Sequence, residues 1–401
     1  MKVLQVNNVY GEKSTGKLTK LLHDGLRKAG HESLVVYGRG RNSEETGVIR
    51  LCPEWYGKAN GLRARVTGLP YGGCILSTLR LMGIVRREKP DVVHLQCING
   101  TFVNIYWLIR WLKKHQIKTV LSLHAEFMYT GNCGHAFACR QWHHGCQKCP
   151  DKKKANHSWF FDRTKRSWRK MRDAFAGFQG NCIVCPVSPW TEDRARQSDI
   201  LKEFRFQTVL NGVDTSIFHS RDRAPDGMGN IVLNVTAHFS PERDHPKGGW
   251  YLMELARRIP EATFVVAGNA DPVQDLPNNL TLLGNISDQR ALAELYGKAK
   301  LTVMVSEKET FSMPCAESLC CGTPVIGFKA GAPERISIPE YSAFVEHGDI
   351  QSLEELTHRW LAREDLDRTE IGNAANQAYS AETMVWLFLE VYRRLYGTEA
   401  D

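Results

Sequence analysis

Two glutamates, Glu309 and Glu317, have the types and spacing that suit ligand chemistry in this chain. The apolar run at 301–305 predicts a short buried parallel strand before them. A helix is expected from about Met313, because Pro314 is tolerated in a first helical turn. A strand–loop–helix unit presents free backbone N–H groups at the helix N-terminus, where a phosphate is stabilised. The two carboxylates would then bind sugar and ribose hydroxyls, although solvated glutamates beside an ordinary turn have the same spacing.

The residues that follow extend this pattern. Glu309-x7-Glu317 with Cys-Gly-Thr-Pro-Val-Ile at 321–326 resembles the signature of retaining glycosyltransferases of family 4, which have the GT-B fold. The resemblance implies that Glu309 contacts the donor sugar and that Glu317 binds the ribose of the nucleotide. It also places the donor phosphates at the start of the helix, so the expected donor-binding residues there are Phe311, Ser312 and Met313.

Composition sets broad limits on the class of protein. A length of 401 residues suits two domains, and 42% hydrophobic with 24% charged residues is typical of a soluble globular protein. No apolar run is long enough to span a bilayer, and the start of the chain resembles a strand and not a signal peptide. We therefore expect a cytoplasmic protein. The net charge of +8 suits an anionic nucleotide donor and a peripheral contact with the anionic inner membrane.

Twelve cysteines in a chain expected to be cytoplasmic argue against a disulfide framework. Four of them are spaced C-x5-C-x6-C-x2-C and can converge tetrahedrally on a structural Zn²⁺. These predicted metal ligands are Cys133, Cys139, Cys146 and Cys149. Free or oxidisable thiols and a catalytic metal are the alternatives. Cys182 and Cys185, also spaced C-x2-C, lie on an apolar strand and are expected in the core.

The cysteine-rich run at about 129–150 resembles the colanic acid and exopolysaccharide subgroup of family 4. Family 4 chemistry does not require a metal, so no catalytic metal is expected. We therefore interpret the run as an insert in the N-terminal domain that forms a lid or an acceptor-side structure.

The first strand, at residues 2–7, leads into a glycine-containing loop before a helix predicted at 17–29. A glycine there lets the backbone approach a phosphate or sugar closely. From the residues alone, a ligand loop and a plain turn are equally good interpretations. The family resemblance implies that this loop covers the donor diphosphate, which favours donor binding by Ser14, Thr15 and Gly16.

His124 follows the apolar strand predicted at 119–123. A single histidine is usually structural, but a strand-end position and a matching family histidine near the donor sugar favour a site role. Family members commonly have His-Asp here. This chain has Ala125-Glu126 after the histidine, so a role for a neighbouring carboxylate is in doubt.

Lysines and arginines dominate residues 152–172, where Asp162 alone opposes them. The basic residues are Lys152, Lys153, Lys154, Arg163, Lys165, Arg166, Arg169, Lys170 and Arg172. Apolar residues recur at helical spacing in the same region, at Trp168, Met171, Phe175 and Phe178. We predict a basic helix at about 152–178 that packs by its apolar face. Contact with anionic lipid or a lipid-linked acceptor is the next interpretation, and nucleic-acid binding is less favoured because no recognition module surrounds it.

The second half contains a further phosphate-binding candidate. Lys247-Gly248 follows the strand predicted at 231–236, and the family places a Lys-Gly at a helix start, where it binds the donor phosphates. The family's second basic residue aligns with either His238 or Arg243. Strands predicted at 264–268 and 280–284 end at glycine, and Gly268 could accommodate the nucleoside against backbone.

These elements predict an α/β protein with two doubly wound Rossmann-like domains, and the resemblance to family 4 implies the GT-B architecture, in which the two domains face each other across a cleft. The expected domains are an acceptor-side domain at 1–212, a nucleotide-sugar domain at 213–378 and a C-terminal helix at 379–401 that crosses back. The linker begins near Asn211 and continues into a polar loop at 222–229.

The resemblance implies transfer of a hexose from a UDP- or GDP-sugar, with retention, to a saccharide or lipid-linked saccharide in bacterial surface polysaccharide synthesis. Glu309, His124, Lys247 and Arg243 would act on the sugar and the diphosphate. A phosphorylase of the same fold is disfavoured, because no lysine lies in a cofactor-binding context. The alternative from another class is a non-catalytic zinc-containing protein that binds a sugar nucleotide, membrane or nucleic acid.

Overall fold

The computed structural model of the protein describes residues 1–150, 152–153, 157–220 and 230–397. Lys154 and the polar loop expected at 222–229 lie outside the described residues. The chain divides into two compact units. The N-terminal unit comprises Met1–Val209 and the segment from Met384 onward, and the C-terminal unit comprises Leu210–Thr383.

A seven-stranded sheet of parallel pairs forms the centre of the N-terminal unit. Its strands are β1 (Lys2–Asn7), β2 (Glu32–Tyr37), β3 (Val48–Arg50), β4 (Val92–Leu95), β5 (Thr119–Leu123), β6 (Cys182–Pro186) and β7 (Arg205–Phe206). They are arranged in the order β3-β2-β1-β4-β5-β6-β7. The direction of winding reverses between β1 and β4, and open parallel sheets bind ligands at such a point.

Helices cover this sheet, as the near-continuous apolar strands require. They are α1 (Lys13–Lys28), α2 (Glu54–Thr67), α3 (Ile75–Glu88), α4 (Ile105–Lys114), α5 (Phe127–Thr130), α6 (Thr164–Phe175) and α7 (Pro189–Arg196). Cys182 and Cys185 are buried in β6, as predicted.

The basic helix is shorter than predicted, because α6 begins at Thr164 and ends at Phe175. Its apolar stripe is buried, including Phe178 beyond the helix end. Lys165, Arg166 and Arg169 on the opposite side are exposed. The packing interpretation is therefore confirmed for this helix.

The C-terminal unit repeats the architecture with a six-stranded sheet of parallel pairs in the order β10-β9-β8-β11-β12-β13. Its strands are β8 (Ile231–Phe239), β9 (Thr263–Ala270), β10 (Leu280–Leu282), β11 (Leu301–Met304), β12 (Val325–Phe328) and β13 (Ser342–Val345). Its helices are α8 (Gly249–Arg258), α9 (Gln289–Lys298), α10 (Met313–Cys320), α11 (Pro333–Ile336), α12 (Ile350–Leu361) and α13 (Arg368–Tyr379). Here the winding reverses between β8 and β11.

The last helix, α14 (Ala381–Tyr396), runs from one unit into the other. Within the N-terminal unit, the hydroxyl of its Tyr392 lies 2.7 Å from Nδ1 of the buried His94 on β4. The ring of Phe388 packs against the same imidazole at 4.7 Å between centroids. The final helix thus completes the core around β4. The α/β class and the two Rossmann-like sheets predicted from the sequence are confirmed.

Candidate functional site

The loops that follow β8 and β11 bring Lys247 and Glu309 together in the C-terminal unit. These two strands flank the reversal of the sheet, so their C-terminal ends form the natural ligand crevice. Lys247 Nζ donates to Glu309 Oε1 at 2.6 Å. The lysine side chain is 31% exposed and the glutamate 18%, so both charges remain accessible to a ligand. The sequence predicted both residues, and the structure makes them one ion pair.

Backbone contacts hold the Lys247 loop against the end of β11. The Glu307 N–H donates to the Pro246 carbonyl at 2.8 Å. Gly248 has φ +70°, and a Cβ at this position would lie 2.0 Å from the carbonyl oxygen of Val305. Only glycine therefore permits this approach without strain. The Lys-Gly pair places the ammonium group beside Glu309 for this reason.

Glu309 itself is tied to the loop after β12. Its N–H donates to the Ala330 carbonyl at 2.9 Å, and its carbonyl accepts from the Ala332 N–H at 3.2 Å. The carboxylate of Glu334 accepts from the N–H groups of Ala330 and Gly331 at 2.9–3.1 Å. Glu334 was not among the residues predicted for the site. Its signal was an acidic residue at the start of a short helix, directly after a Gly-Ala-Pro turn.

Helix α10 begins at Met313, as predicted, and Pro314 lies in its first turn. Ser312 caps it in the left-handed region, with φ +80°. Within the described chain, the backbone N–H groups of Phe311, Ser312 and Met313 donate to no carbonyl or side chain. Unsatisfied donors at a helix N-terminus stabilise an anion.

Glu317 lies one turn into α10. The hydroxyl of Tyr296, which is fully buried, donates to Glu317 Oε2 at 3.2 Å. The carbonyl of Tyr296 in turn accepts from Thr323 Oγ1 at 2.7 Å, which ties α9 to the turn that follows α10. The position of the Glu317 carboxylate is therefore set by a buried partner.

Two residues proposed for the second basic position have other contacts. The prediction that β8 ends at 236 is wrong, because the strand continues to Phe239 and includes His238. His238 Nε2 lies 3.0 Å from Asp271 Oδ1, and the ring of His238 is 5.6 Å from that of His245. The Arg243 guanidinium lies over the Trp250 ring at 4.8 Å. Lys247 is linked to the histidines, because its N–H donates to His245 Nδ1 at 3.3 Å.

The prediction that Gly268 ends its strand is wrong, because β9 continues to Ala270. It has φ +154°, and a Cβ would lie 2.0 Å from the Thr236 carbonyl oxygen. Its N–H donates to the Gly284 carbonyl at 2.9 Å. The glycine is therefore required by close packing between strands.

In the N-terminal unit, the loop predicted before α1 is partly helical. The helix starts at Lys13 and not at 17, so Ser14, Thr15 and Gly16 form its first turn. Asn7 Nδ2 at the end of β1 donates to the Thr15 carbonyl at 3.1 Å. A Cβ on Gly16 would lie 3.1 Å from Val9 Cγ2, so a small residue is needed for this helix to start so close to the strand.

His124 lies at the end of β5, where the sequence placed it. Its Nε2 lies 2.8 Å from Gln96 Oε1. The neighbouring His94 contacts Ser122 Oγ through Nε2 at 2.8 Å. Burial lowers the pKa of His94 to about 3 and the pKa of His124 to about 4, from an ordinary value of 6.5. Both imidazoles are therefore neutral at pH 7, and His124 can donate or accept a hydrogen bond without carrying charge.

These two histidines predict acid sensitivity. Their folded-state pKa values lie below the unfolded value, so the unfolded chain binds more protons as the pH falls from 6.5 towards 4. Each should cost about 1.4 kcal/mol of stability per pH unit in that window and nothing above it. Urea unfolding between pH 7.5 and 5 would measure this slope, and His94→Gln should reduce it. An equal slope in the variant would contradict the assignment.

The four predicted zinc ligands are free cysteines on one insert. Burial, and then the neighbouring cysteines, raise the pKa of the Cys146 thiol to about 12. No three of these sulfurs lie within 4.8 Å of one another. Among the described residues, the ligand atoms of His23, Asp24 and Glu45 do lie this close together. Lys20 Nζ lies 3.1 Å from both Asp24 and Glu45, and Arg27 Nη1 lies 4.0 Å from Glu45. The two carboxylates are therefore already paired with two cations.

The carboxylate beside His124 has a structural role. Glu126 is 1% exposed and its Oε1 accepts from Arg194 Nε at 2.6 Å. It also accepts from the Tyr129 hydroxyl at 2.8 Å and from the Ala136 N–H at 2.6 Å. Glu126 therefore anchors the cysteine-rich insert. The sequence offered no signal for its partner, which lies 68 residues away.

No helix in the described parts of the chain is long and apolar enough to cross a membrane.

Among curated proteins, the chain is 23% identical to the colanic acid biosynthesis glycosyl transferase WcaC of Escherichia coli (strain K12), covering 98% of this chain and 100% of that protein. It is 25% identical to a GDP-mannose-dependent alpha-(1-6)-phosphatidylinositol dimannoside mannosyltransferase of Mycobacterium tuberculosis, covering 86% of this chain and 84% of that protein.

Solved structures share the fold. Sucrose-phosphate synthase from Thermosynechococcus elongatus superposes with a TM-score of 0.71 at 17% identity, covering 100% of both chains. HepE from Anabaena in complex with UDP-glucose gives a TM-score of 0.61 at 14% identity, covering 98% of this chain and 100% of that one.

Two family profiles match the sequence. "Glycosyl transferases group 1" matches residues 235–378, which include Lys247, Glu309 and Glu317. "Glycosyltransferase Family 4" matches residues 16–217, about half of the 401-residue chain. Together with the two Rossmann-like sheets, these matches identify the chain as a glycosyltransferase that belongs to family 4.

Proposed function

We propose that this protein transfers a hexose from a UDP- or GDP-sugar to a saccharide or lipid-linked saccharide, with retention of the anomeric configuration. We further propose that it acts in the cytoplasm, in the assembly of a bacterial surface polysaccharide. The observation that carries the proposal is the Lys247–Glu309 ion pair at the reversal of the C-terminal sheet. This ion pair supports the proposal because its lysine would bind phosphate and its glutamate, two residues before the free N–H groups that begin α10, would bind sugar hydroxyls.

The proposed reaction uses no nucleophile of the protein. The acceptor oxygen forms a bond to the anomeric carbon on the face from which the nucleoside diphosphate departs. The bond between that carbon and the β-phosphate oxygen breaks, and the phosphate takes the proton of the acceptor hydroxyl. The Lys247 ammonium and the N–H groups of residues 311–313 would stabilise the negative charge that grows on the diphosphate.

The remaining donor contacts follow from the family resemblance. Glu309 would orient the sugar, and Glu317 would bind the ribose hydroxyls. His124, neutral at pH 7, would contact the sugar by a hydrogen bond. Ser14, Thr15 and Gly16 would cover the diphosphate. Arg243 or His238 would add a second contact to the phosphates. Arg243 would have to leave the Trp250 ring, and His238 would have to leave Asp271. The move of Arg243 is the simpler of the two.

Calorimetric titration with UDP and GDP tests the donor site. We expect one nucleotide to bind and Glu317→Ala to weaken it about 10- to 100-fold, because hydrogen bonds to a carboxylate contribute about 1.5–3 kcal/mol. Glu340→Ala, an exposed glutamate of the same unit, is the matched control and should bind normally. Equal binding by Glu317→Ala would contradict the ribose contact. Failure of the wild-type protein to bind either nucleotide would favour the non-catalytic alternative.

The relatives' names bear on the substrates. The mycobacterial relative is named for GDP-mannose as donor and a phosphatidylinositol dimannoside as acceptor, and the Anabaena structure contains UDP-glucose. Both donor bases therefore stay in the proposal. Peripheral membrane contact through the exposed basic side of α6 is proposed as a secondary feature. Structural zinc at the four cysteines is a second one, and it would require their sulfurs to move closer together than they are here. Metal analysis and vesicle sedimentation of the purified protein measure them.

A further inference from the structure

The N-terminal unit contains a cavity of about 500 Å³ beside α2. None of the residues proposed above for donor binding lines it. Its walls include Arg39, Lys58, Arg65, Tyr71, Asn132 and His157. A volume of this size suits a small-molecule ligand.

The cavity is built for an anion. Three of its lining residues are arginine or lysine, and none is acidic. Within the described chain, no carboxylate forms an ion pair with Arg39, Lys58 or Arg65. Arg39 Nε is a buried donor without a hydrogen-bond partner. A buried donor is costly when unsatisfied, so a ligand that accepts a hydrogen bond from it is favoured.

Two glycines inside α2 support the same conclusion. Gly57 and Gly61 both line the cavity, although glycine costs a helix interior about 1 kcal/mol relative to alanine. A Cβ on Gly57 would lie 2.4 Å from Arg39 Cδ. The glycine therefore makes room for the arginine side chain.

An aromatic rim adjoins the cavity. Trp159, Phe160 and Phe161 are consecutive and are 48%, 62% and 50% exposed. Arg65 connects the two features, because it lines the cavity and its guanidinium lies 5.8 Å from the Trp159 ring centroid. The Trp159 N–H also donates to the Arg65 carbonyl at 2.9 Å. Leu62, exposed on α2, lines the cavity as well.

We propose that this cavity and rim bind an isoprenoid-like lipid diphosphate, the anchor of a lipid-linked acceptor. The diphosphate enters the cavity between Arg39, Lys58 and Arg65, and the first apolar units of the lipid cover the aromatic rim. A flat bilayer surface does not reach a concave site with buried donors, and a free phosphate leaves the rim exposed to water. The inference rests on the proposed function and assigns its acceptor class.

Titration with farnesyl diphosphate, inorganic pyrophosphate and farnesol tests the proposal. The Lys247→Ala background weakens pyrophosphate binding at the proposed donor site. In this Lys247→Ala background we expect farnesyl diphosphate to bind at least about tenfold more tightly than pyrophosphate, and we expect farnesol to bind weakly. Lys58→Glu/Arg65→Glu should weaken farnesyl diphosphate by roughly 100-fold, because two charge-assisted contacts become repulsive. Lys298→Glu/Arg359→Glu, which changes net charge equally on exposed helix positions of the other unit, should bind normally.

A second variant separates the rim from the cavity. Phe160→Ser/Phe161→Ser should weaken farnesyl diphosphate while leaving pyrophosphate unchanged. Equal binding of pyrophosphate and farnesyl diphosphate, or unaltered binding in Lys58→Glu/Arg65→Glu, would overturn the proposal. UDP and GDP titrations of proteins with native Lys247 keep the two hypotheses apart. Nucleotide binding without farnesyl diphosphate binding rejects only the lipid site, and the reverse rejects only the donor site.

Discussion

The Lys247→Ala variant should lose sugar transfer by about 10²- to 10³-fold in kcat, the usual effect of removing one group that stabilises charge in a transition state. The lysine lies on a loop after β8 and donates to Glu309 at 2.6 Å. From there its ammonium would stabilise the negative charge that develops on a departing diphosphate. Its ion pair is partly exposed, so the fold should lose at most about 1 kcal/mol. Initial rates with the donor identified by titration, together with thermal unfolding, measure both effects.

The control for this variant is Lys329→Ala. Lys329 also forms an ion pair with a glutamate, Glu346, in the same unit, but on the exposed surface. Its removal should leave kcat unchanged. Glu309→Gln should also be strongly impaired, and Lys247→Ala/Glu309→Gln should be no worse than about the poorer single variant if the two act as one unit. Fully additive losses would show that the two residues act independently. Normal activity of Lys247→Ala would reject a catalytic role for the lysine.

The Arg194→Met variant should destabilise the N-terminal unit by about 3–5 kcal/mol, because it leaves a buried carboxylate without its charge partner. Arg194 is 17% exposed and Glu126 only 1% exposed. The guanidinium also lies over the rings of Trp142 at 5.0 Å and Trp190 at 4.8 Å. Native-state hydrogen exchange of the β5 and β6 amides measures the effect in this unit alone.

Two further variants sharpen the stability prediction. Glu126→Gln/Arg194→Met should recover part of the loss, because removing both charges leaves none of them buried and unpaired. Lys202→Met is the surface control, since the Lys202–Asp199 pair is 48% and 27% exposed and should contribute little to stability. Amide protection in Arg194→Met that equals the wild-type value would show that the pair contributes little to this unit.

The sequence by itself determined the features that depend on local pattern. The run at 301–326 encodes a strand, a loop with Glu309, a helix from Met313 and a second strand, and each forms as predicted. Apolar periodicity and Gly-Pro punctuation report such elements, because burial and turn geometry are set within a few residues. The same applies to His124 at the end of β5 and to the buried cysteines of β6.

Element ends were less predictable, because distant hydrogen bonds decide them. The strand β8 extends to Phe239 because β9 pairs with it beyond an irregularity between Val235 and His238. Helix α1 starts at Lys13, and Asn7 at the end of β1 donates to the carbonyl of Thr15 in its first turn. Neither contact has a signature in the local sequence.

Only the tertiary structure decided which side chains act together. Lys247 and Glu309 are 62 residues apart in the chain, and Glu126 and Arg194 are 68 apart. The basic cavity combines α2 with residues from five other segments of the chain. The physical reason is that a sheet's strand order places loops side by side regardless of their separation along the chain, and local residue patterns carry no record of that order.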